Sequence, residues 1–438
     1  MDTLIANVTA VTMNKKMEVL FGSFIGITDG KITYIGKKPP EETPDTIIDG
    51  TGMVAMPGLV NCHTHLATTL LRNYFDDCKG AEALEGQLQK MAKLDAEGAK
   101  ASALLGIAEC LRFGVTSVSD LTEHPEAVLE AIADSGIKGN VALAANRFVD
   151  ENEDFDFETD PQCQLLCKLT DKFHGYDDGR IAVEAGIHAE YTSNCQLWEG
   201  LADYALEKNL GVQLHLAETV AEAEDCLDRT GLNPGELLNC HNFFRTRATA
   251  AGCAALSEGE QALLGKKGVT AVVTPVAYSK AGMPLPQVKP MVKAGMNIAL
   301  GSGSGVECGN TDLFESMRVL AGAVRTQDAD SGAMPAPALL MMATVCGARA
   351  QGRAEQSGML EVGMDADLAL VDFTAPHLMP CHNVVSGLVF SAKGGDVAMT
   401  MVRGKVLYQN GKFPTIDLTQ VVDTLMQKAI PAVFENKE

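Results

Sequence analysis

Over roughly 300 residues the chain repeats one unit eight times: a strand-length apolar run, then a helix-length amphipathic segment. The apolar runs read VAMPGLVNC, GVTSVSDL, GNVALAANRF, RIAVEAGIH, GVQLHLAE, ATAAGCAAL, VTAVVTPVA and NIALGSG. Segments such as EALEGQLQKMAKL, SALLGIAECLRF, HPEAVLEAIADSG, LWEGLADYALEKN and LFESMRVLAGAVR separate them. Eight units of this kind fit a (β/α)8 barrel in size and count. A doubly wound open sheet is the alternative, but no G-x-G-x-x-G follows the first strand. In a barrel the chemistry sits at the carboxyl ends of the strands, so the residues closing each run carry the functional information.

The two ends of the chain have a different texture. TLIANVTAVTM, SFIGITDGKITYIG and DTIIDGTGMVAMPG read as strands, with Asp29-Gly30 a hairpin turn. Similar runs return from about Gly358, with turns at Arg403-Gly404 and Asn410-Gly411. The expectation is a composite β-sandwich from residues 1–56 and 358–413, a barrel over 57–357, and a helical segment over 414–438 that packs outside.

A formal net charge of −22 argues against a nucleic-acid partner, which requires basic surface to neutralise phosphates. No apolar stretch is long enough to span a membrane, and the first residues lack the basic start of a signal peptide. Twelve cysteines without a C-x-x-C pair read as reduced thiols, so the expected setting is cytoplasmic, and a homo-oligomer is compatible with the sequence.

The first barrel run ends NCHTH, giving His63 and His65. Alternation along a strand turns both imidazoles to one side, a ready pair of ligands for zinc or a similar ion. A bare H-x-H favours a hydrogen-bonded pair without metal, and its place at a strand end is what strengthens the ligand reading. His188 closes the fourth run, the fifth carries His215, and Glu218 follows three residues later. Four of nine histidines thus fall at strand ends.

MVAMPGLVNCHTHLATTLLRN, HAEYTSN, VQLHLAET and GMLEVGMDADLALVDFTAPHL together resemble the amidohydrolase superfamily. Within it the likeness is to the branch of methylthioadenosine/S-adenosylhomocysteine deaminases and chlorohydrolases, and it runs from about Leu4 to Phe413. The resemblance implies that His63, His65 and His215 hold one divalent metal ion, zinc being expected. It makes Glu218 the acid that shuttles protons to a substrate ring nitrogen, and His188 the residue that holds a sugar. The implied reaction is hydrolysis of a C–N bond, other than a peptide bond, in a purine- or nucleoside-like small molecule by metal-activated water.

Three positions depart from the family pattern. Where strand eight resembles G-T-D-G, this chain has Gly301-Ser302-Gly303-Ser304, with Gly303 in the place of the aspartate. Gly252 stands before Cys253 where the family has a histidine, and Val273-Thr274-Pro275 replaces a histidine-containing turn. The glycine run reads as a flexible loop beside a hole. On that reading Gly303→Asp raises metal affinity, and Gly252→His is needed in addition for adenosine-type deamination. Cys253, Cys308 and Glu307 are the residues near these loops able to substitute, with an ordinary buried thiol the commoner fate of each cysteine. The sequence therefore predicts a divergent hydrolase of the deaminase type. The alternative is a catalytically degenerate member that binds a small ligand or acts as a structural partner.

Overall fold

The computed structural model describes residues 1–78, 80–148 and 154–434. Five strands open the chain: β1 (Thr3–Val11), β2 (Val19–Thr28), β3 (Lys31–Gly36), β4 (Thr46–Asp49) and β5 (Met53–Pro57). Nine follow: β6 (Leu59–His65), β7 (Val115–Thr122), β8 (Lys138–Leu143), β9 (Ile181–Gly186), β10 (Val212–Leu216), β11 (Ala248–Gly252), β12 (Thr270–Val273), β13 (Asn297–Leu300) and β14 (Gly303–Ser304). The last three are β15 (Leu368–Asp372), β16 (Val397–Val402) and β17 (Lys405–Gln409).

Strands β6 to β13 stand side by side in chain order, every neighbouring pair parallel, with helices between them. Strand β14 follows β13 after two residues and pairs with β6, Gly303 opposite Thr64 and Ser304 opposite His65. The last unit therefore meets the first, and the sheet closes into a (β/α)8 barrel. Strands covered on both faces should read as continuous apolar runs rather than alternating ones. All eight residues of β7 are buried, although five of them, Thr116, Ser117, Ser119, Asp120 and Thr122, are polar.

The expected flexible loop at GSGSG is instead a buried join between the two ends of the barrel. Residues 301–306 are all buried. Ser302 N–H donates to His63 O (3.2 Å) and to Asn61 Oδ1 (3.0 Å), and Asn61 Nδ2 donates back to Ser302 Oγ (2.9 Å). A Cβ on Gly301 would lie 2.8 Å from the Cβ of His63. Glycine at 301 is what lets the eighth strand pass this close to the first.

The barrel interior is layered by strand alternation. Gln213 and His215 lie two residues apart on β10, so both face inward. Gln213 donates to Glu184 Oε2 (2.8 Å), and Glu184 also accepts from Asn140 (2.6 Å) and Arg247 (2.6 Å). That buried polar layer fills the barrel below, and His215 opens onto the carboxyl end above it.

Strands β1 to β5 and β15 to β17 form one eight-stranded sheet. In it β5 pairs with β1 in parallel and with β15 in antiparallel fashion. This terminal sheet has its own apolar centre, including Ile5, Ile25, Ile27, Ile32, Leu368, Leu370 and Met399. The buried Lys138 ammonium at the start of β8 ties it to the barrel, donating to Asp365 (2.6 Å), Asp367 (2.5 Å) and Ser357 (2.9 Å). The helical pieces over Leu418–Phe434 pack on the barrel helix Ala96–Arg112. No helix among the described residues is long and apolar enough to cross a membrane.

Candidate active site

Three imidazoles meet at the carboxyl end of the barrel. His63 and His65 leave β6 on one side, and His215 reaches them from β10. The Nε2 of His63 lies 3.1 Å from that of His65 and 3.2 Å from that of His215. The opposite nitrogens face carbonyl oxygens: His65 Nδ1 to Leu121 O (2.6 Å) and His215 Nδ1 to His188 O (2.8 Å). A carbonyl only accepts, so both Nδ1 atoms carry the hydrogen. Burial and the neighbouring imidazoles push His63 and His215 well below the ordinary histidine range, keeping them neutral. Neutral rings protonated at Nδ1 present Nε2 lone pairs, and converging lone pairs repel unless a cation lies among them. Two nitrogens bound to one tetrahedral zinc at 2.0–2.1 Å sit about 3.3 Å apart. The donor set fits such an ion.

The strand end that carries the H-T-H pair is fixed by Asp120 of β7. Its Oδ2 accepts from Thr64 Oγ1 (2.8 Å) and from Leu66 N–H (2.6 Å). Burial raises its pKa to about 6, and Oδ1 has no hydrogen-bond partner among the described residues.

The cluster opens into a cavity of about 310 Å³, within the lower range of small-molecule sites. Glu123, His188, Tyr191, Glu218, Tyr278 and Glu307 contribute to its walls. His188 sits just beyond β9, where the bridge between Ala145 and Ile187 carries the pairing one step further. Its Nδ1 is 3.3 Å from Thr192 Oγ1, and its ring centroid is 5.0 Å from that of His215. Glu218 keeps some exposure to the cavity but lies deep among protein atoms. That burial, with the charges of Glu307 and Glu222, pushes its pKa to about 8.

The backbone that aims Glu218 is clamped by Glu222, which sequence reasoning missed. Its two carboxylate oxygens accept from Ala217 N–H (3.0 Å) and Glu218 N–H (2.8 Å). This holds Ala217 at a φ of 46°, a turn that an alanine adopts only when its surroundings impose it. A signal for it exists: Thr219-Val-Ala-Glu222 is a capping-box pattern, and Thr219 caps the helix Val220–Thr230. Asp120 and Tyr278 carried no comparable pattern.

Neither cysteine joins the cluster. Cys253 Sγ points to Ala250 O (3.4 Å) and Cys308 Sγ to Ser304 O (2.9 Å), and burial pushes both thiols up, Cys308 to about 12. Glu307 does line the cavity.

The glycines at 252 and 303 do not leave the expected hole. A Cβ on Gly252 would fall 2.5 Å from Glu218 Cγ and 2.9 Å from the Tyr278 hydroxyl oxygen, and its φ is +93°. A Cβ on Gly303 would fall 2.8 Å from Glu307 Oε2, at a φ of +81°. Both spaces are already filled by other side chains. Gly252→His is therefore expected to destabilise the protein by about 2–5 kcal/mol, combining a disfavoured backbone with overpacking, without raising any activity. Urea denaturation beside the wild type measures the first part; a stable variant would mean that Glu218 and Tyr278 move aside.

A parallel barrel closed through its eighth strand, with an H-x-H pair and a fifth-strand histidine meeting at its carboxyl end, is the frame of a metal-dependent hydrolase. The amidohydrolase family model matches residues 54–407, and the chain belongs to that family. It is 32% identical over 430 residues to the 5-methylthioadenosine/S-adenosylhomocysteine deaminase of Thermoanaerobacter pseudethanolicus, covering 98% of this chain and 99% of that one. It is 35% identical over 429 residues to the 5'-deoxyadenosine deaminase of Methanosarcina barkeri, covering 98% of each. Among solved structures it is similar to a zinc-bound adenosine deaminase from Xanthomonas campestris, with a TM-score of 0.90, 27% identity and 97% of each chain covered.

Proposed function

We propose that this protein is a metal-dependent aminohydrolase that removes the exocyclic amine of an adenosine-type nucleoside. The observation that carries the reading is a deeply set carboxyl group, Glu218, opening onto the same cavity as the three imidazoles, where burial raises its pKa. The relatives named as deaminases of methylthioadenosine, S-adenosylhomocysteine and 5'-deoxyadenosine supply the substrate class.

His63, His65 and His215 would hold the ion, for which zinc is the fitting choice with three neutral imidazoles. Such an ion, when bound, lowers the pKa of water toward 7 and so makes a nucleophile available at neutral pH. Glu218 gives its proton to the ring nitrogen beside the carbon under attack, which removes the cost of building negative charge on the ring. His188 uses one nitrogen toward Thr192, leaving the other for a sugar hydroxyl. Because its carbonyl also accepts from His215, sugar recognition and the imidazole cluster share one anchor. Tyr191, Tyr278 and Met283 offer apolar surface for a flat base.

A second reading is a member that binds the nucleoside without turning it over. The glycines at 252 and 303, which replace a histidine and an aspartate of the family pattern, favour it. Zinc-loaded protein incubated with adenosine, 5'-deoxyadenosine, methylthioadenosine and S-adenosylhomocysteine separates the two. Ammonia release is expected from at least one; calorimetric binding without ammonia would establish the second reading instead.

A further inference from the structure

Glu307 stands on the single helical turn Gly305–Cys308, directly after the join that closes the barrel. It is solvent-accessible and faces the cavity that Glu218 and the three imidazoles line. Its Oε2 accepts from Ser304 N–H (3.0 Å) and lies 2.8 Å from where a Cβ on Gly303 would be. The turn is fastened from several sides. Glu307 N–H donates to Ser304 Oγ (3.1 Å), Gly305 N–H to Thr68 Oγ1 (3.3 Å), and Lys280 Nζ to Val306 O (2.8 Å). The carboxylate from position 307 thus occupies the space into which a side chain at 303 would grow. Only a residue without a Cβ leaves that space open, and a φ of +81° at 303 suits the same residue.

Capping Ser304 employs one carboxylate oxygen. The other, Oε1, has no protein partner among the described residues and is free to take a proton. The charge of Glu307 acts on both Glu218 and His188, which places it in the working volume of the site. It is not part of the tight cluster in which all ligand atoms lie within 4.8 Å of one another, so its place is beside the ion site rather than in it.

We propose that Glu307 is the proton-accepting carboxylate of this site, doing from the turn after strand β14 what an acid on the strand itself would do. The assignment rests on the deaminase reading above. In the reaction, a water oxygen bonds to the amine-bearing ring carbon and its proton passes to Glu307, while Glu218 protonates the adjacent ring nitrogen. As the C–N bond breaks, Glu307 returns its proton to the departing amine, which leaves as ammonia. The new hydroxyl gives its proton to Glu218 and becomes a carbonyl, so both carboxyl groups end as they began.

The test is Glu307→Gln, whose amide oxygen can still accept from Ser304 N–H, so the turn is kept and only the base is lost. Expected are a fall in kcat of about 10²–10⁴-fold and zinc affinity lowered by no more than about tenfold. A kcat within about threefold of wild type overturns the assignment. So does a loss of zinc affinity beyond about 100-fold, which would make Glu307 a ligand. A wild-type protein that releases no ammonia from any of the four nucleosides refutes the deaminase reading separately. That outcome is distinct from an active wild type with an equally active Glu307→Gln, which leaves the deaminase reading standing and overturns Glu307 alone.

Discussion

Glu218→Gln is expected to lower kcat by about 10²–10⁴-fold on the adenosine-type substrate the protein deaminates, with little change in its fold. Glutamine keeps the shape and the clamp from Glu222 on the backbone, but it has no proton to give. With a pKa of about 8, set by burial and by Glu307 and Glu222, the group is protonated at neutral pH and ionises as pH rises. Wild-type activity should therefore fall on the alkaline side. A divalent cation among the imidazoles favours the ionised carboxylate, so about 8 is an upper bound for that limb. Ammonia release followed from pH 5 to pH 10 should show the limb in the wild type and not in the variant. Equal rates, or the same alkaline limb in both, would remove Glu218 from proton transfer.

The same substitution has a second, opposite consequence in metal-free protein. A carboxyl raised from 4.5 to about 8 on folding holds a proton that the unfolded chain has already released between those values. The unfolded state then binds fewer protons, so stability falls as pH rises through that window and is unaffected below it. Glu218→Gln should be more stable than the wild type at pH 8 and indistinguishable from it at pH 4. Activity here is held against stability, as is usual where a charge-bearing group is buried for chemistry.

What could be seen in advance follows from which interactions are periodic. The barrel strands announce themselves because parallel strands covered on both sides are rich in apolar residues, and even the most polar of them, β7, keeps Val115, Val118 and Leu121 among its eight buried positions. His63 with His65, and His215 with Glu218, were visible because a fixed spacing on a strand end carries its own geometry. The glycine run was misread for a related reason. A loop and a close strand crossing both select glycine, and only the approach of Gly301 to His63 tells them apart. Gly252 and Gly303 looked like losses because a sequence shows what has gone from a position, not what has moved into it. The occupants are Glu218 and Tyr278 at position 252 and Glu307 at position 303, and the first two lie far from Gly252 along the chain. Glu222 and Asp120 hold backbone groups rather than ligands, and such roles leave only faint local patterns.

His63→Ala should have the largest effect on the ion site. His63 is the middle member of the cluster, with its Nε2 at 3.1 Å and 3.2 Å from the other two, while the Cys253 and Cys308 thiols turn to backbone carbonyls instead of replacing it. Altering a residue that merely orients a ligand costs 10–100-fold in metal affinity, so deleting a ligand itself should cost more than about 100-fold. Two consequences can be measured without any substrate. Zinc at a hundred times its dissociation constant stabilises a protein by about 2.7 kcal/mol, and that increment should vanish from the variant's unfolding curve at the same zinc concentration. In metal-free protein, burial and neighbouring imidazoles hold His63 and His215 neutral well below pH 6.5. The unfolded chain takes up those protons as pH falls below 6.5, so wild-type stability declines on acidification, and with one such histidine removed the decline should be shallower. Chelator competition that finds zinc affinity within tenfold of wild type would mean the ion is not held by this cluster. The shared tautomer of His65 and His215, fixed by Leu121 and His188 carbonyls, would then need another reason to exist.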